Sequence, residues 1–125
     1  MTARTRTELR RRVQALVGRW QKRLGLELWF ILIEFNSEVS YCAVRWSPGY
    51  RNAVLMVNPK SEARYENRRW LEHSVVHELC HLLLASVSDV HDVYAKVDSP
   101  LGLELHRGVE TTADTLTSLF LRARW

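Results

Sequence analysis

One stretch limits this chain more than any other: Val75-Val76-His77-Glu78-Leu79-Cys80-His81-Leu82-Leu83-Leu84. It contains no helix breaker and reads as helix, in which about 100° per residue sets His77 and His81 roughly 40° apart, one turn above the other. Both imidazoles can then reach one metal ion. Glu78 flanks the pair and can reach a water on that ion without binding the ion itself. Two neutral nitrogen ligands with an adjacent carboxylate as general base is the spacing that zinc-dependent hydrolysis of peptide bonds needs. Two solvated histidines on a surface helix would not be set between Val-Val and Leu-Leu-Leu. Cys80 lies between the histidines in sequence but flanks them in space, and it reads as a thiol of the core rather than a ligand.

At 125 residues and 46% hydrophobic content, residues 1–125 are expected to form one domain with a real core and no room for a second. No run approaches the apolar length of a membrane span, and the basic start Met1-Thr2-Ala3-Arg4-Thr5-Arg6 has no apolar signal region behind it. The expected address is the cytoplasm, with no membrane partner and a monomeric state. Cys42 and Cys80 are too few and too separated for a disulfide framework, so both are read as reduced thiols. The net charge of +4 is concentrated early, at Arg4, Arg6, Arg10, Arg11, Arg12, Arg19, Lys22 and Arg23. Such a cluster can attract nucleic acid, although a solvated helix face is the commoner meaning and no nucleic-acid motif accompanies it.

In chain order, Leu9, Val13, Leu16, Val17, Trp20 and Leu24 recur at helical spacing, which predicts an amphipathic helix over residues 5–24 stopped by Gly25. Leu26 to Phe35 is apolar on both alternations and predicts a strand covered on both faces. Val39–Trp46 and Tyr50–Val57 predict two more strands, separated by Ser47-Pro48-Gly49 and ended by Asn58-Pro59. Connections this short predict an antiparallel meander. Lys60–Arg69 is polar, a loop or short helix. From about Trp70 the helical period returns, with Leu71, Val75, Leu79, Leu82 and Leu83 as the core stripe and His73 on the histidine face, too far from His81 to share an ion. Ser86–Gly102 has no period and predicts an irregular connection over the mouth of the site. Val109, Ala113, Leu116 and Phe120 mark a last helix starting near Gly108. The predicted class is α+β: N-terminal helix, three-stranded mainly antiparallel sheet, active-site helix, C-terminal helix.

A catalytic zinc ordinarily takes three protein ligands and keeps a fourth position for water. Asp89, His91, Asp92, His106 and Glu110 are the candidates for the third. The compact pattern with Gly three and His six residues after the second histidine is excluded, because Leu84 and Val87 stand there. Glu110 and Asp114 lie one turn apart on the last helix, in Val109-Glu110-Thr111-Thr112-Ala113-Asp114, with Val109 and Ala113 to anchor it.

With His77-Glu78-x-x-His81 followed by Glu110-x-x-x-Asp114, the sequence resembles the gluzincin peptidases. It looks most like their small single-domain members, the minigluzincins, which include phage and bacterial proteins of this size. The order of elements carries the resemblance over most of the chain. It implies a zinc metalloendopeptidase in which Glu110 is the third ligand and Asp114 orients His77 through its other ring nitrogen. His106, one turn before Glu110, is the rival ligand. The larger gluzincins place a His or Tyr for the oxyanion on a second subdomain that has no counterpart here; His106, Tyr94 and His91 are the substitutes in this chain.

The expected chemistry is hydrolysis by a zinc-activated water, with Glu78 as general base and one zinc ion held by His77, His81 and Glu110. The resemblance also implies a rim strand, Tyr50–Val57, against which an extended peptide would pair. Two other functions compete: a zinc-stabilised binding or regulatory protein with weak or no turnover, and a nucleic-acid-associated protease recruited by the basic first helix.

Overall fold

The structure is a computed structural model that describes residues 3–47, 49–61, 67–85 and 100–123. Among the described residues it is a small α+β fold of three α-helices and a three-stranded mixed sheet. Helix α1 runs Ala3–Arg23 and buries the apolar stripe read from the sequence, Leu9, Val13, Leu16, Val17 and Trp20. Its end is a Schellman turn around Gly25, which sits at φ 70° while Leu26 N–H donates to Gln21 O at 2.8 Å. Only glycine enters that left-handed region without strain.

Strand β1 is Phe30–Phe35, β2 is Cys42–Trp46 and β3 is Asn52–Val57. The order is β1-β3-β2, with β1 parallel and β2 antiparallel to β3, so the meander expectation is corrected. Skipping one strand position takes about 9.6 Å, which residues 36–41 span easily, so a short connection did not force β1 and β2 together. The central place goes to β3, whose Ala53, Leu55 and Val57 are buried. Tyr50–Val57 is therefore no rim: β3 is paired on both sides, and the edges are β1 and β2.

Strand β1 is also shorter than expected and covered on one face only. Residues 26–29 turn instead, with Gln21 Nε2 donating to both Leu26 O and Trp29 O, and Phe30 and Leu32 remain exposed. On its outer edge Arg10 donates to Ile33 O at 2.8 Å and lies over the Phe35 ring.

A short 3-10 turn, Pro59–Ser61, follows β3. Helix α2, Arg68–Leu83, is capped by Asn67, whose side chain accepts from Arg69 N–H at 3.0 Å. Leu71, Val75, Val76, Leu79, Cys80 and Leu82 form its buried face. Leu83, expected in the core, is exposed, and Val76 and Cys80 take the space because α2 is covered by the sheet and by a third helix at once. That helix, α3, runs Pro100–Arg122. It begins eight residues before Gly108, with Pro100 at a helix start where its missing N–H is harmless. Pro100–Gly102 are thus helical rather than irregular, and residues 86–99 of the expected connection lie outside the described residues.

Candidate metal centre

The site forms where α2 and α3 meet. Val75, Val76, Leu79 and Cys80 bind α2 into the core, which turns His77 and His81 toward α3 with their Nε2 atoms 3.3 Å apart. Helix α3 docks through Ala113 and Thr117, both fully buried. The Thr117 hydroxyl donates to Ala113 O at 2.7 Å and lies 3.6 Å from Cys80 Sγ. This seat brings Glu110 Oε1 to 3.1 Å from His81 Nε2 and Glu110 Oε2 to 3.6 Å from His77 Nε2. One turn on, Asp114 Oδ1 accepts from His77 Nδ1 at 3.0 Å. That contact places the proton on Nδ1 and leaves the Nε2 lone pair directed at the cluster.

The spacing fits an ion. Two atoms each about 2.0–2.1 Å from a tetrahedral cation lie about 3.3 Å apart, against 3.1, 3.3 and 3.6 Å here. Among the described residues, His77, His81 and Glu110 are the one group whose ligand atoms converge this way. His106 does not join it, although it is near enough to oppose protonation of His81.

Burial is the main cause that holds the His81 pKa below its usual value, working against the nearby Glu110 carboxylate. The ring therefore keeps its lone pair available at neutral pH. Glu78 is pushed up to about 8, first by burial and then by the charge of Glu110, against a backbone hydrogen bond from Val44. A cation held by the cluster would offset the charge of Glu110 and so lower the Glu78 pKa again.

The Val44 contact follows from the sheet register. Asn58 N–H donates to Tyr41 O, so by alternation Ala43 and Arg45 turn their backbone groups to β3 while those of Val44 face outward, toward α2. Between this edge and the first half of α2 lies a cleft of about 280 Å³, lined by Tyr41, Cys42, Trp70, His73 and Ser74 together with His77, Glu78 and Asp114 of the site. His73 is thus a wall of the cleft, edge-on to Trp70. Cys80 is buried, its thiol raised mainly by burial, and belongs to the α2–α3 contact.

Tyr94, His91, Asp89 and Asp92 lie outside the described residues. Sequence reasoning missed the cleft walls Tyr41 and Trp70 and the seat made by Thr117. The walls carry no local signal, but Thr117 stands seven residues after Glu110 and four after Ala113, on the face that docks.

Several of the early arginines have partners within the chain. Arg6 and Arg10 lie over Phe35, Arg11 pairs with Glu8, Arg19 with Glu72, and Arg23 stacks on Trp20. Among the described residues no helix is long and apolar enough to cross a membrane.

The fold and site together define an α+β domain with a two-histidine, one-glutamate cluster compatible with a metal ion. No protein-family model, curated protein or solved structure matches the chain.

Proposed function

We propose that the protein is a zinc-dependent peptidase of the gluzincin type. The observation that carries the reading is the convergence of His77 Nε2, His81 Nε2 and a Glu110 oxygen at tetrahedral separations, with Glu78 beside them. Two imidazoles and one carboxylate are a donor set suited to zinc and poorly suited to calcium or magnesium, which take oxygen ligands. Bound there, zinc would supply a Lewis acid that polarises a carbonyl and acidifies a water.

The chain's own groups do the rest. Asp114 fixes the His77 tautomer, and Glu110 joins the ligand pair from a second helix. A peptide reaches the cluster through the cleft between Tyr41–Cys42 and the first half of α2. Glu78 takes a proton from the attacking water and delivers it to the departing amine nitrogen, while the carbonyl carbon exchanges nitrogen for oxygen. Burial suits Glu78 to this work, because a carboxyl with its pKa near neutrality both accepts and returns a proton. Of the three oxyanion candidates, His106, exposed one turn before Glu110, is the one among the described residues.

The test pairs zinc content with cleavage of a broad peptide pool. Glu78→Gln should retain stoichiometric zinc and lose about 10²–10⁴ in rate. Equal cleavage by both proteins defeats the mechanism, and zinc without turnover in the wild type leaves a zinc-binding module in its place.

A further inference from the structure

The sheet has one face more than its helices cover. Ile31, Ile33, Phe35, Ala53, Leu55 and Val57 turn toward the core. Alternation sends Phe30, Leu32 and Glu34 of β1 to the opposite side, level with Val54 and Met56 of β3 and with Ala43 and Arg45 of β2. Phe30 is 65% and Leu32 54% exposed. An apolar patch with a polar rim marks a surface that something else covers.

The face is asymmetric. Its β1 side is a bulky, acidic ridge of Phe30, Leu32 and Glu34; its β2 side is low and basic, with Ala43 and Arg45. Between them a groove of about 350 Å³ runs over Val54, bounded by Phe30 and Leu32 on one side and Arg45 and Trp46 on the other.

We propose that this face binds the same face of a second copy of the chain, about a two-fold axis parallel to the strands. That rotation lays the β1 ridge of each copy along β2 of the other. Phe30 and Leu32 then enter the opposite groove, and Glu34 comes within reach of the opposite Arg45. A two-fold axis across the strands would stack ridge on ridge and set each Glu34 against the β1 ridge of the other copy, far from its Arg45, which shape and charge both oppose. The whole chain carries +4, yet this face brings one acid and one base from each copy, so no net charge is forced together. The Glu34–Arg45 contact within one chain, at 3.9 Å between side chains 52% and 66% exposed, is too loose to hold the two groups back. Three short strands offer less than the ~800 Å² per partner of a standard interface, so the dimer is weak and depends on concentration.

Analytical ultracentrifugation of the full chain over a wide concentration range tests this. The wild-type mass should climb from 14.6 kDa toward twice that value. Leu32→Glu should stay monomeric with its thermal midpoint unchanged, because the position is exposed in the monomer. Glu34→Arg and Arg45→Glu should each self-associate at least tenfold more weakly, and an equimolar mixture of the two should pair again. A wild type that remains monomeric into the high-micromolar range overturns the proposal, as does a mixture that fails to pair. A Leu32→Glu protein that melts early without any change in association overturns it too, because another part of the same chain would then cover the face.

Discussion

The two halves of the candidate metal centre are built to different standards. On α2, the His77 and His81 side chains are 18% and 12% exposed and stand among Val76, Leu79 and Cys80, all fully buried. On α3, Glu110 and Asp114 are 42% and 68% exposed, and the buried anchors beside them are Ala113 and Thr117. The imidazoles are therefore fixed by the core itself, whereas the carboxylates are fixed by where a neighbouring helix sits. The α2 half is therefore expected to tolerate small changes in packing, and the α3 half to be the more easily displaced by a mutation or a shift of the helix.

The strongest way to break this contrast is to remove Glu110, the ligand proposed on α3. Glu110→Ala should lower zinc affinity more than about a hundredfold while leaving circular dichroism unchanged, and His106→Ala should leave zinc bound. Calorimetric titration of both variants checks this, and the reverse pattern would hand the third position to His106. Loosening the helix rather than the ligand comes next. Ala113→Leu puts a larger side chain into a fully buried contact, so it should cost about 1–3 kcal/mol in urea denaturation and weaken zinc binding without touching a ligand. Equal affinity in that variant would mean that the α3 half is as firmly seated as the α2 half.

Asp114→Asn should weaken zinc binding about 10–100-fold, because His77 Nδ1–H loses a charged acceptor. A pH series on metal-free protein sharpens the other side of the comparison. Glu78 has its folded pKa raised to about 8 from 4.5, so folding binds its proton more tightly. Its stabilising contribution is complete below the unfolded value and is lost as pH rises through the folded one. With a chelator present, wild type should lose on the order of a few kcal/mol relative to Glu78→Gln between pH 5 and pH 8.5, read from urea midpoints. A constant difference across that range would mean that Glu78 is not a buried acid. The smallest effect is expected at Thr117→Val, about 1 kcal/mol or less, since the hydroxyl mainly returns to its own helix at Ala113 O.

The sheet shows where a sequence stops speaking. The stretch Leu28 to Ile33 is apolar at every position, and two covered faces are the ordinary meaning of such a run; the helices reach only one. Strand pairing was equally open, because residues 36–41 can join neighbours or skip one, and the choice depended on β3 filling the centre. The start of α3 was hidden by the lack of apolar period before Val109, although Pro100 and the residues after it form regular helix.

The sequence by itself determined the spacing of His77, Glu78 and His81, since two imidazoles one turn apart share a face of any helix. It also determined the stop of α1 at Gly25, because a left-handed residue is local chemistry. Which carboxylate meets those imidazoles was decided only by tertiary structure. Glu110 lies 29 residues beyond His81, and no local rule carries direction over that distance. Its oxygens stand at 3.1 and 3.6 Å because Ala113 and Thr117 seat α3 on α2.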